Sequence, residues 1–171
     1  MIHLVPIGVV SRSMLDSLAA SLKEVYRIPA VIHEPVSLPA SSYDSGRGQY
    51  SSSQILRSLA RFKETLTQVE RVLGIVGVDL YVADLNFVFG EADPREGVAV
   101  ISLWRLRPEY TGLPPNKALY HQRVLKEAVH ELGHTYGLGH CPDPACVMQF
   151  SNSLEDTDKK TASFCAICLS Y

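Results

Sequence analysis

The chain has 171 residues, 46% of them apolar and 20% charged, with a formal net charge of −2. A chain of this length fits one domain and buries about 70% of the surface its unfolded form exposes, so it needs neither metal nor disulfide merely to fold. The slight acidity gives no general pull toward nucleic acid or anionic lipid, and no apolar run nears membrane-spanning length, so no nucleic-acid or membrane partner is expected. Met1 to Val10 has no basic segment and no small-residue cleavage site. That points to the cytoplasm, where free or metal-bound thiols are expected over disulfides.

Ile2 to Val10 is apolar and rich in Val and Ile, the pattern of a buried strand. Ser11 or Ser13 can cap a following helix, on which Met14, Leu15, Leu18, Leu22 and Val25 share a face. That helix is expected to end near Tyr26, before Pro29. Ala30 to Ile32 reads as a second strand, and strand–helix–strand favours parallel pairing with a right-handed crossover.

Glu34 to Tyr50, with its prolines, glycines and serines, reads as a loop. Ser51 to Ser53 offer caps for a long helix whose stripe is Ile55, Leu59, Phe62, Leu66, Val69 and Leu73. Val78–Ala83 and Leu85–Gly90 read as strands joined too closely for a parallel crossover. Glu91 to Gly97 reads as a polar turn, and Val98 to Leu106 as another apolar strand. Asn116 is a plausible cap for a last long helix over Lys117 to Tyr136.

The end of that helix carries the chemistry. His130 and His134 are separated by roughly 40° and one turn of rise, so both imidazoles project to one side. Glu131 is offset by roughly 100° and can approach a metal-bound water without ligating the metal. Gly137 can take positive φ and end the helix. The turn then returns His140 to the same ion. Three neutral nitrogens leave a fourth zinc position for water, whose pKa falls to roughly 7. Glu131 is the expected general base, taking the water's proton and passing it to the leaving amine. The bland reading, a helix with two surface histidines and a glycine cap, does not account for Gly137 and His140 both falling where the geometry requires them. His121 is roughly half a turn out of phase with His130 and should face away. His3 and His33 read as packed strand histidines.

All four cysteines lie in the last 31 residues. Cys141 and Cys146 enclose four residues, Cys165 and Cys168 enclose two, and eighteen separate the pairs. Two close pairs at such a separation suit a tetrahedral zinc with four thiolates, saturated and therefore structural. Two zinc ions per chain are thus expected. His140 and Cys141 are neighbours, so the second site should help to aim the third histidine. Glu127, one turn before Glu131, reads as a solvated helix glutamate more readily than as part of the site. Asp79, Asp84, Glu91, Asp93 and Glu96 read as turn or surface residues.

With these residues in place, the sequence resembles the metzincin zinc peptidases, and within them the archaemetzincins. The resemblance rests on His130, Glu131, His134, Gly137 and His140, then Cys141, Cys146, Met148, Cys165 and Cys168. The stretches Arg47–Tyr50 and Asn86–Ala92 also look like that family. Sixteen residues separate Met148 from Cys165, which reads as a loop-length difference.

The resemblance implies an α/β fold of the α+β kind. It would have a mixed, twisted sheet of about five strands, covering helices and the zinc helix at the base of a cleft. Residues 1–171 would form one catalytic domain, with an N-terminal subdomain over 1–140 and a zinc-stabilised C-terminal subdomain over 141–171. Met148 would be the methionine floor beneath the histidines. Phe150 stands where some metzincins carry a tyrosine ligand, so no phenol can ligate from that position. An extended substrate would lie along an edge strand, for which Asn86, Phe87, Val88 and Phe89 are the candidates.

The expected function is a monomeric zinc metallopeptidase acting on peptide or protein substrates. The alternative is a zinc-stabilised peptide- or protein-binding module, which has no need of Glu131. A metal-dependent ribonuclease is disfavoured by Glu131 and by the acidic charge.

Overall fold

The computed structural model describes residues 1–170. Its first elements follow the expected pattern: β1 (Ile2–Ile7), α1 (Arg12–Tyr26) and β2 (Ala30–Ile32), with β1 and β2 parallel. Residues 34–50 are not all loop. They contain β3 (Tyr43–Asp44) and the start of β4 (Gln49–Ser51), an antiparallel pair.

The next helix, α2, spans Ser52–Glu64, with the Ser51 hydroxyl accepting from the Gln54 amide. It stops well before Leu73. Gln68 takes a left-handed backbone with φ 55°, and Arg71–Val76 is a strand, β5. Leu66 and Val69 still pack against the same core as α2. The apolar stripe therefore continues in space after the helix has ended.

Farther on, Val78–Ala83 is strand only at β6 (Leu80–Tyr81), parallel to β4. Leu85–Phe89 is not a strand; its one bridge joins Val88 to Leu80. The edge strand β7 is Gly90–Asp93, which overlaps the expected turn, and the turn itself is confined to residues 94–97. The last strand, β8, is Val98–Ser102, shorter than expected. The long helix α3 spans Lys117–Thr135, with the Asn116 side chain capping the Leu119 amide at 3.0 Å. Short helices α4 (Leu154–Lys159) and α5 (Ala166–Leu169) complete the described chain.

The main sheet has five strands in the order β2-β1-β5-β8-β7, with only β7 antiparallel to its neighbour. Alternating side chains feed two cores. Ile2, Leu4, Leu73, Ile75, Ala99 and Ile101 meet α1 and α3. Val5, Ile7, Val72, Val76, Val98 and Val100 meet α2 on the other face. The strand β7 ends the order, so its outer backbone edge is unpaired. No described helix is long and apolar enough to cross a membrane.

Candidate metal centres and cleft

Helix α3 crosses beneath β7 and β8, and its last two turns bury His130 and Glu131. The helix ends where expected, with Gly137 at φ 91°. One donor atom from each of His130, His134 and His140 lies within 4.8 Å of the others. His130 is buried, His134 half-buried and His140 exposed.

The hydrogen bonds fix the ring states. His130 Nδ1 lies 2.8 Å from the Val147 carbonyl, and His134 Nδ1 lies 2.7 Å from the Leu138 carbonyl. A carbonyl only accepts, so each Nδ1 carries the proton and each neutral ring presents a lone pair at Nε2. Those two Nε2 atoms are 3.1 Å apart. Burial and then the Lys160 charge lower the His130 pKa to about 3, so a proton shared from an imidazolium is disfavoured. Two lone pairs converging on one point fit a metal cation between them.

Glu131 points toward β7 through a gap left by Gly90. A Cβ on Gly90 would sit 2.6 Å from Glu131 Cγ. Burial first, then the Glu127 and Glu91 carboxylates, raise the Glu131 pKa well above the usual range, while Lys160 opposes the shift. Met148 is fully buried with its sulfur directly under Gly133, where a Cβ would collide with it. His140 packs against Phe150, ring centroids 4.9 Å apart.

The cysteines converge as a second group. One Sγ from each lies within 4.8 Å of the others. Cys141–Cys165 and Cys146–Cys168 sulfurs are 3.7 and 3.8 Å apart. A disulfide is about 2.05 Å long. A tetrahedron of zinc–sulfur bonds of about 2.3 Å has edges near 3.8 Å. The four thiols therefore have the spacing of metal ligands. The Cys141 amide donates to the Met148 carbonyl at 3.0 Å, which ties this group to the loop beneath α3.

A cleft of about 550 Å³ runs between the 85–92 segment and α3 and is lined by Glu131 and all three histidines. Asn86, Phe87, Val88 and Phe89 do line it, but from an irregular segment and not from the edge strand. That segment is held from behind. Gln49 Nε2 donates to the Asn86 carbonyl at 2.8 Å and to Asp79 Oδ2 at 2.9 Å. Arg105 makes two 2.7 Å bonds to Asp79 and lies 4.1 Å above the Phe87 ring.

Three carboxylates differ from expectation. Asp79 is this brace and not a surface residue. Glu91 accepts from the Ser52 and Ser53 hydroxyls at the start of α2, at 2.5 and 3.1 Å. Glu127 is buried at 3% exposure. It accepts from Thr157 Oγ1 at 3.0 Å and lies 3.5 Å from Lys160 Nζ, whose side chain is 1% exposed. Glu127 lines the same cleft. Its position on the buried face of α3, four residues before Glu131, was the only sequence signal; nothing near it in the chain announces Lys160.

The remaining histidines take no part. His121 approaches Ser17 of α1 at 3.3 Å, and His3 and His33 bond each other at 2.7 Å.

Known proteins resemble this chain in sequence and fold. The model of Peptidase family M54 matches residues 8–171. The archaemetzincin of Pyrococcus furiosus is 44% identical, over 99% of this chain and 90% of that protein. That of Methanocaldococcus jannaschii is also 44% identical, over 96% and 88%. Among solved structures, an archaemetzincin from Archaeoglobus fulgidus complexed with malonate superposes with a TM-score of 0.84 at 37% identity, covering 99% of both chains. A zinc-dependent peptidase from Methanocorpusculum labreanum gives 0.91 at 29% identity, covering 99% of this chain and 98% of that one. The chain belongs to peptidase family M54, the family of the archaemetzincins.

Proposed function

We propose that the chain is a zinc-dependent peptidase in which His130, His134 and His140 hold the catalytic zinc and Glu131 is the general base. The observation that carries this is the pair of Nε2 lone pairs 3.1 Å apart beside a buried carboxylate in an open cleft. When bound, zinc supplies Lewis acidity, which activates water as nucleophile and polarises the substrate carbonyl. Glu131 accepts the water's proton and delivers it to the leaving amine. Burial raises the Glu131 pKa, and a cation held by the three histidines would oppose that shift and favour the ionised form, the form a base requires.

The rest of the chain positions these groups. Cys141, Cys146, Cys165 and Cys168 hold a second, structural zinc and fix the segment that follows His140. A site of four thiolates suits a reducing compartment such as the cytoplasm. Met148 packs beneath the histidine helix. The irregular 85–89 segment and the free edge of β7 receive an extended peptide, with backbone groups pairing and side chains entering the cleft.

The test is zinc content together with hydrolysis across a diverse peptide library, for wild type and Glu131→Gln. Two zinc ions and hydrolysis abolished both by chelation and by Glu131→Gln are expected. Zinc-loaded protein with no Glu131-dependent hydrolysis overturns the reading, and one zinc per chain favours a binding module.

A further inference from the structure

The cleft has a charge pattern that its zinc chemistry does not explain. The charged side chains lining it, apart from the histidines, are Glu91, Glu127 and Glu131, and no lysine or arginine lines it. Glu131 is reserved for proton transfer. Glu91 is taken up by the two serine hydroxyls at the start of α2. Glu127 is the remaining carboxylate.

Glu127 is more than nine-tenths buried, yet its two oxygens are treated unequally. Oε1 takes the Thr157 hydroxyl and faces Lys160. Oε2 accepts no hydrogen bond from any described residue and is not one of the buried atoms left without a partner, so it is the oxygen open to the cleft. Lys160 pairs with Oε1 at 3.5 Å, and its ammonium also donates to the Gln149 carbonyl at 3.2 Å. Behind it, Lys126 spends its charge on the Thr157 and Asp158 carbonyls. The Lys160 charge therefore lies on the protein side of Glu127 and leaves the cleft side uncompensated. In the same wall, Ser151 Oγ is buried without a partner among the described residues.

We infer that Glu127 is a specificity-determining residue that receives a cationic group of the substrate, an ammonium or guanidinium, one helical turn from Glu131. The surrounding wall of Phe89 and Phe150 suits the aliphatic stem of such a side chain, with the charged tip reaching Glu127. The group has two possible sources: a lysine or arginine next to the scissile bond, or the substrate's own N-terminal ammonium. This inference rests on the peptidase reading above.

The experiment uses zinc-loaded full-length protein and matched peptides. In one pair a lysine flanking the scissile bond is replaced by norleucine. In the other a free N-terminus is acetylated. Whichever pair carries the preference should show a kcat/KM ratio of about 10 to 100 in favour of the cation, the range of a hydrogen bond to a charged group. Glu127→Gln should bring that ratio below about 3. A ratio near one in wild type for both pairs, or a ratio unchanged by Glu127→Gln, overturns the assignment. Because Glu127→Gln leaves Lys160 buried without a counter-charge, the same ratios are measured in Glu127→Gln/Lys160→Met, with zinc content and melting temperature as controls of folding.

A binding arm separates this inference from the peptidase reading. Calorimetry of the same peptides on Glu131→Gln reads the preference without turnover. A Glu127-dependent binding preference with no hydrolysis by wild type keeps the Glu127 assignment and sinks the general base. Hydrolysis without preference does the reverse.

Discussion

Gly90 and Glu131 occupy one space, so that a methyl group on the strand and the carboxylate on the helix exclude each other. A Cβ at Gly90 would lie 2.6 and 2.9 Å from Glu131 Cγ and Cδ and 2.7 Å from the Val100 carbonyl. The Val100 contact is with backbone and the Glu131 contacts are with a side chain, so strand and glutamate must both shift. Gly90→Ala should lower kcat/KM by about 100-fold, the scale of a displacement of about 1 Å in a catalytic group. Zinc content should match that of wild type. A Gly90→Ala protein hydrolysing peptides at the wild-type rate would show that Glu131 does not act from where it lies.

The cysteine site should control the histidine site through one peptide bond. Cys141 follows His140 and its amide holds the Met148 carbonyl at 3.0 Å. Cys141→Ala should lose the structural zinc and weaken the catalytic one by about 10-fold, in line with other losses of supporting contacts around metal ligands. Chelator competition measures it. Unchanged affinity at the remaining site would mean that His140 is aimed by Phe150 and the Gly137 turn alone.

The 85–89 segment has little regular backbone pairing, so its cleft wall depends on Arg105. Arg105→Ala removes two 2.7 Å bonds to Asp79 and the guanidinium above Phe87. The expected result is KM raised about 3- to 10-fold with little change in kcat, the mark of lost ground-state binding. A fall in kcat without a rise in KM would place Arg105 in the chemistry instead.

His130 gives a pH signature when zinc is removed. Its folded pKa is about 3 against 6.5 for the free side chain. Below 6.5 the unfolded chain takes up a proton that the folded chain refuses until about 3. This contribution is therefore full above 6.5 and is lost progressively as pH falls toward 3. Glu131, shifted upward, acts in the opposite sense above 4.5, so the comparison belongs in the Glu131→Gln background. Melting temperatures of chelated Glu131→Gln should fall more steeply across this window than those of Glu131→Gln/His130→Asn. Parallel curves would contradict the burial argument.

Local spacing made the convergence of His130 and His134 legible, because a helix turns i and i+4 residues to one side whatever the rest of the fold does. Helix α3 and its Asn116 cap lie where the pattern put them. Strand β5 did not show, because Val69 and Leu73 continue the helical spacing of Ile55, Leu59, Phe62 and Leu66, while the break lies in Gln68's backbone. Strand β7 reads as a turn in the sequence because Glu91 and Asp93 are polar; Asp93 does serve the adjoining turn, through the residue 95 and 96 amides, but the Glu91 partners Ser52 and Ser53 are met only on folding. Glu127 reads as a solvated residue because the lysine beside it lies 33 positions away in sequence. Patterns carried by one element could be read; pairings between distant elements could not.

The carbonyls of Val147 and Leu138 set the proton positions on His130 and His134. Every residue type carries such a carbonyl, so no single substitution at 138 or 147 deletes either acceptor. Mutational drift around these imidazoles can alter packing, but it cannot readily change which nitrogen each offers. The ring state is inherited from the backbone path, and only a change in that path, by insertion, deletion or a proline nearby, would reset it.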